Sequence, residues 1–253
     1  MFNVANILTA GNLISGILSV VFALQGDLLL APVFIFVGAL FDFLDGFAAR
    51  LLKTSGELGK QLDSLADMVT FGVAPGIIIM VLLVLGEGES YALTEVAIRE
   101  NMSAWFLGVK QGDSSMMPFA GLLFPFFAMF RLAKFNIDTR QSESFIGLPT
   151  PAATLFFMAF PLAYKWGDNA INQIVFNQWL MIVLVVVFGI LMVSELPLFS
   201  LKFKRFGWKG NEIRFLFLLI SLVLILLFSF WSIALIVFLY LILSIIENIF
   251  RKK

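Results

Sequence analysis

The sequence predicts an all-α, polytopic membrane protein of about eight transmembrane helices, and three observations lead there. Apolar residues make up 60% of the 253-residue chain and charged residues only 13%, against about 45–50% and about 25% in soluble domains. The mean hydropathy is +0.99, and the apolar residues gather in runs close to the ~20 residues that cross a bilayer as a helix. Lysine and arginine, finally, fall almost entirely on one side of the resulting layout.

In chain order the runs lie near residues 9–25, 28–49, 62–85, 117–134, 151–166, 179–196, 214–230 and 231–250. A bilayer offers no partner for bare backbone groups, so each run is expected to be helical. The first has no basic residue before it, unlike a secretory signal, and is read as a helix that stays in place. The long connection after the third run carries Glu87, Glu89, Glu95, Glu100 and Asp113, with an amphipathic helix expected around residues 94–107. Pro149 and Pro151 are expected to shape the start of the fifth helix. The last two runs are weakly separated, between Ser229 and Ser232.

With the N-terminus in the cytoplasm, fourteen of the seventeen basic residues lie inside; Arg99, Lys110 and Lys165 alone lie outside. The positive-inside rule favours this orientation, with both termini cytoplasmic. Lys202, Lys204, Arg205 and Lys209 form a basic loop expected to meet anionic lipid headgroups. The phenylalanine-rich stripes are read as lipid-facing or packing residues.

The composition also excludes chemistry. A net charge of zero gives no electrostatic support to a nucleic-acid partner. The absence of cysteine removes disulfides, thiolate metal sites and a cysteine nucleophile, and the absence of histidine removes the commonest general base. Acid–base work falls to carboxylates, lysines or tyrosines.

Four aspartates stand out because acidic groups at the edge of membrane spans mark function by default. Asp42 and Asp45 are three apart on one face of the second helix; Asp63 and Asp67 are four apart on one face of the third. The two helices are joined by a short cytoplasmic turn, so both pairs can converge near it. Converging carboxylates repel unless cations sit among them. An all-oxygen ligand set favours Mg²⁺, Mn²⁺ or Ca²⁺, and four carboxylates suit a two-metal site for in-line displacement at a diphosphate. Gly46, Ala48 and Ala49 leave room for a headgroup, Arg50 can bond phosphate oxygens, and Ser55, Gly56 and Gly59 form a permissive turn that can face phosphate. Helix capping and pairing with Arg50, Lys53 and Lys60 is the competing structural account, and it leaves Asp42 and Asp45 unexplained.

The stretch 42–50 reads D-F-L-D-G-F-A-A-R; after eight intervening residues comes Gly59, then Asp63 and Asp67 after three residues each. It matches the CDP-alcohol phosphatidyltransferase signature at every defined position. Within that family the chain most resembles the membrane-embedded phosphatidylserine synthases over most of residues 3–200. The flanking likeness is carried by N-I-L-T-A-G-N-L-I-S-G at 6–16, D-S-L-A-D-M-V-T-F-G-V-A-P at 63–75, R-L-A-K-F-N at 131–136 and G-L-P-T-P-A-A at 147–153. Gly56 stands where relatives often carry a hydroxyl residue, and Ala5 where they often carry proline.

The resemblance implies a core of six helices over residues 1–200, followed by the basic loop and two further helices in 201–253. It implies that Asp42, Asp45, Asp63 and Asp67 hold one or two divalent ions, Mg²⁺ or Mn²⁺ with Ca²⁺ as a further candidate, and that Asp67 is the base. Gly46, Ala49, Arg50, Ser55 and Gly59, with Asn6 before the first helix and Thr9 and Asn12 at its entry, are the expected contacts to CDP-diacylglycerol. Capping is the other reading of Thr9 and Asn12. Arg131, Lys134 and Asn136 are the expected contacts to L-serine, and ordinary interfacial anchoring is the alternative for Arg131 and Lys134. A homodimer in a prokaryotic cytoplasmic membrane is the expected state. Glycerol phosphate or inositol phosphate as acceptor, an archaeal-type donor, and a cation transporter remain open.

Overall fold

The computed structural model describes residues 3–54, 56–87, 94–138, 145–164, 176–199, 207 and 211–251. Helix α1 spans Val4–Leu24. It starts five residues before the predicted span because the Asn3 side chain caps it, accepting from the Asn6 N–H at 2.8 Å. Thr9 and Asn12 therefore lie inside the helix, and the capping account of both is excluded. Helix α2, Leu30–Leu51, returns antiparallel and packs extensively on α1.

The third span runs from Glu57 to Leu85 as one 29-residue helical stretch. It consists of α3 (Glu57–Asp67), a π-helical turn (Met68–Val73) and α4 (Ala74–Leu85). Residues 78–85 of α4 are all buried. A helix apolar all round belongs in the centre of a bundle, and α4 takes that place, with Phe124, Phe156, Phe157 and Phe188 in the same core. Because α3 begins at Glu57, Asp63 sits well inside a helix and Gly59 lies in its first turn. This corrects one expectation, since Gly59 is helical rather than part of the turn, and it removes the competing capping account of Asp63.

Helix α5, Glu95–Gln111, matches the predicted amphipathic segment. The Thr94 side chain caps it, accepting from the Ala97 N–H at 3.3 Å, and Ile98, Met102 and Trp105 form its buried stripe. A 3₁₀ turn, Met117–Leu122, leads into α6, Leu123–Ile137. Helix α7, Thr150–Tyr164, and α8, Gln178–Val193, follow. Between their neighbouring loops a two-residue antiparallel pair forms, β1 (Phe145–Ile146) with β2 (Pro197–Leu198). The predicted sixth span ends early, at Val193, where the chain turns extended at Ser194 towards Pro197.

Helices α9 (Glu212–Phe228) and α10 (Trp231–Arg251) close the chain. They break at Ser229, whose φ is +46°, and the Ser232 hydroxyl donates to the Ser229 carbonyl. Each predicted run is thus helical over most of its described length, and among the described residues five helices are long and apolar enough to cross a membrane: α1, α2, the α3–α4 stretch, the helix through α6, and α10. Helices α7 and α8 are apolar but shorter. The 16 residues of α8 extend about 24 Å at ~1.5 Å each, short of the ~30 Å hydrocarbon layer. Apart from the β1–β2 pair, the regular structure of the described residues is helical, and the chain is a polytopic integral membrane protein. Lys202, Lys204, Arg205, Lys209, Arg140 and Ser55 lie outside the described residues.

Candidate active site

One carboxylate oxygen from each of Asp42, Asp63 and Asp67 lies within 4.8 Å of the other two. The acidic side chains of α2 and α3 meet there because both helices pack on α1. Asp45 stands outside that triangle but within electrostatic reach of all three. It is buried, and its Oδ2 accepts from the Thr9 hydroxyl at 2.6 Å. The Asn12 amide donates to Asp67 Oδ1 at 2.9 Å. Asp63 Oδ1 is buried and has no hydrogen-bond partner in the protein among the described residues.

Two facts decide what this cluster can hold. None of the four aspartates makes an ion pair with lysine or arginine among the described residues, so pairing with Arg50, Lys53 or Lys60 does not account for it. Nor does any of them cap a helix. A buried carboxylate oxygen without a partner costs stability unless a cation or donor reaches it. Hard cations take oxygen ligands at about 2.0–2.6 Å, so oxygens up to ~5 Å apart can share one. The donor set fits a divalent oxygen-liganded ion.

Helices α1 and α2 are held to the π-helical turn by close backbone approach rather than by charge. A Cβ on Gly16 would lie 2.8 Å from Thr70 Cα, and one on Gly38 would lie 2.5 Å from Thr70 Cγ2 and 3.0 Å from Asn12 Oδ1. Only glycine allows α1 and α2 this near the π-helical turn. A π turn disturbs the regular hydrogen-bond ladder and is frequent at functional sites. Here side chains stitch it to its neighbours: Thr70 Oγ1 donates to the Asn12 carbonyl at 2.9 Å, and Thr154 Oγ1 donates to the Phe71 carbonyl at 2.8 Å. The turn starts directly after Asp67, so these bonds also seat that carboxylate.

Beside the triangle lies a cavity of about 230 Å³ lined by α1, α2, Thr54 and Gly56 between the helices, and α3. Asp63 belongs to both. Asn6, Thr9, Gly46, Ala49, Arg50 and Gly59, all expected donor contacts, line it together with Asp45. The Arg50 guanidinium lies over Gly46, one turn earlier, with Nη1 3.5 Å from where a Cβ would stand. Asn12 does not line the cavity; its amide serves Asp67. Ala5, Thr54, Gly56 and Lys60 also line it. Thr54 and Lys60 were not expected there, although Thr54 lies two residues before Gly56 and Lys60 directly follows Gly59.

Residues 2–191 match the family model described as CDP-alcohol phosphatidyltransferase. The chain belongs to the CDP-alcohol phosphatidyltransferase family. It is similar to a CDP-diacylglycerol–serine O-phosphatidyltransferase of Helicobacter pylori strain J99, 32% identical over 97% of this chain and 90% of that protein. The Bacillus subtilis strain 168 protein of the same name is 34% identical over 62% of this chain and 75% of its own. An archaetidylserine synthase of Methanothermobacter thermautotrophicus is 28% identical over 64% and 59%.

For this family member the acceptor side was expected at Arg131, Lys134 and Asn136, and the three side chains diverge. Arg131 is buried; its Nε donates to the Leu148 carbonyl at 3.2 Å, and its guanidinium sits 5.2 Å from the Phe135 ring centroid. The Lys134 ammonium lies 3.4 Å from both Glu195 Oε1 and the Val193 carbonyl. The Asn136 amide donates to Ser64 Oγ at 2.7 Å. Residues four apart lie on one helix face, but Lys134 and Asn136 are two apart, so α6 aims them at different neighbours.

Proposed function

We propose that this protein transfers the phosphatidyl group of CDP-diacylglycerol to the hydroxyl of L-serine, giving phosphatidylserine and CMP. The observation that carries the reading is the carboxylate triangle of Asp42, Asp63 and Asp67 sharing Asp63 with a cavity that contains Arg50. Family membership supports the CDP-linked donor. The serine acceptor is supported by the names of the relatives, all of which contain it.

Asp42, Asp63 and Asp67, with Asp45 beside them, would hold Mg²⁺ or Mn²⁺, with Ca²⁺ as a further candidate, whose positive charge would offset that of the diphosphate and the departing CMP. The donor keeps its acyl chains in the bilayer and its diphosphate and cytidine in the cavity, where Arg50 bonds phosphate oxygens. Gly46 and Ala49 keep α2 narrow there, and Asn6 and Thr9 face the nucleotide from α1. Asn12 engages Asp67 Oδ1, leaving Oδ2 to take the proton of the serine hydroxyl. The serine oxygen then bonds to the phosphorus that carries the lipid, the bond from that phosphorus to CMP breaks, and CMP leaves with the electron pair. With no cysteine or histidine in the chain, a single direct displacement is the simplest course. Arg131 is the proposed partner of the serine carboxylate. The reading includes eight spans, a catalytic core over residues 1–200, a cytoplasmic site with both termini on that side, and a homodimer in a prokaryotic cytoplasmic membrane.

The test is incorporation of labelled L-serine into chloroform-soluble lipid by purified protein with CDP-diacylglycerol and Mn²⁺ or Mg²⁺. Labelled lipid and stoichiometric CMP, both lost in Asp67→Asn, are expected. Release of CMP only with glycerol phosphate or inositol phosphate would replace the acceptor. No CMP with any acceptor, from folded protein that binds metal, would sink the transferase reading and favour a cation transporter.

A further inference from the structure

The C-terminal end of α6 is tied to α3 by a closed ring of hydrogen bonds. The Asn136 side-chain amide donates to Ser64 Oγ at 2.7 Å, and Ser64 Oγ donates to the Lys60 carbonyl at 3.1 Å. The Lys60 ammonium, in turn, donates to the Asn136 carbonyl at 2.5 Å. Asn136 is the penultimate residue of α6, so its carbonyl is one that a helix leaves without an internal donor. It also lies at the negative end of the helix dipole, where a cation is favoured. Lys60 thus caps α6 from another helix while lining the donor cavity. Ser64 lies between Asp63 and Asp67, within the helical turn that carries both.

We infer that Asn136, acting with Ser64 and Lys60, is a positioning residue: it holds the Asp63–Asp67 turn of α3 against α6 and does not itself bind the acceptor. The sequence motif that contains Arg131 and Asn136 then has two separate jobs. Arg131 faces the α7 entrance through Leu148, and Asn136 faces the carboxylate helix. The inference rests on the phosphatidyl-transfer reading for its kinetic arm.

Ser64→Ala and Asn136→Ala remove the same bond from opposite ends. Each is expected to lower kcat about three- to tenfold, the loss of one hydrogen bond, with the serine KM unchanged. The double variant is expected to be no worse than either single one. A raised serine KM in Asn136→Ala but not in Ser64→Ala would return Asn136 to the acceptor site and overturn the inference. Additive losses, or wild-type kinetics in both, would overturn it as well. The chain contains no cysteine, so Ser64→Cys with Asn136→Cys gives a second measurement that does not depend on the alanine variants. Oxidation is expected to cross-link the pair and leave turnover intact; no cross-link in folded protein, or turnover only after reduction, would overturn the proposal. Wild-type serine incorporation is run alongside. Its absence would sink the transfer reading, whereas the cross-link needs no substrate and tests the contact by itself.

Discussion

Asn12 and Asp67 meet across 55 positions of sequence, the amide nitrogen 2.9 Å from Oδ1. Asn12 is fully buried, and its own carbonyl accepts from Thr70. One residue of α1 therefore holds both the carboxylate and the π turn that follows it.

Asn12→Ala should keep the fold and lose activity. Groups that orient a metal-binding carboxylate are typically worth about 10–100-fold in affinity or rate. A drop of that order in kcat, with a higher Mn²⁺ concentration for half-maximal activity and an unchanged donor KM, is expected in steady-state assays. A donor KM effect alone would place Asn12 in the cavity instead.

Asp42→Asn and Asp63→Asn each remove one corner of the carboxylate triangle. Both should abolish divalent-ion binding by calorimetry as well as transfer, and chelation of the wild type should reproduce the loss reversibly. Retained stoichiometric binding in both variants would mean that the ion sits elsewhere.

Gly16→Ala and Gly38→Ala test the close approach to Thr70. Overpacking a tight site typically destabilises by about 1–3 kcal/mol. Both variants should unfold several degrees below wild type in detergent, whereas alanine at Gly56, which has open space around it, should not. Equal melting temperatures for all three would show that the crossing can relax.

Topology is open to a direct test because the chain lacks cysteine. Glu57→Cys and Asp113→Cys, both at exposed positions, should react with an impermeant maleimide from opposite sides of sealed vesicles. Glu57→Cys should react from the cytoplasmic side. Labelling of both from one face would refute the proposed layout.

The helical runs and the carboxylate pairs were legible in the residue order. Apolar runs of bilayer length have one backbone solution, and spacings of three and four put Asp42 with Asp45 and Asp63 with Asp67 on common faces. Asn6, Thr9, Gly46, Ala49, Arg50 and Gly59 were likewise traceable from the motif to the cavity. Helix ends were less legible, because a cap such as Asn3 or an extended exit such as Ser194 acts through a single hydrogen bond or dihedral change.

By itself the sequence determined the class of molecule, the hard-oxygen character of the site and the helices that bear it, since these follow from composition and short-range periodicity. Which oxygen touches which donor was decided by the tertiary structure alone. Asp45 went to Thr9, Asp67 to Asn12 and Asn136 to Ser64 because Gly16 and Gly38 let three helices meet at Thr70, and because α6 ends beside α3. Those contacts join residues 36, 55 and 72 positions apart. No local periodicity encodes such pairings; they depend on how closely whole helices can pack.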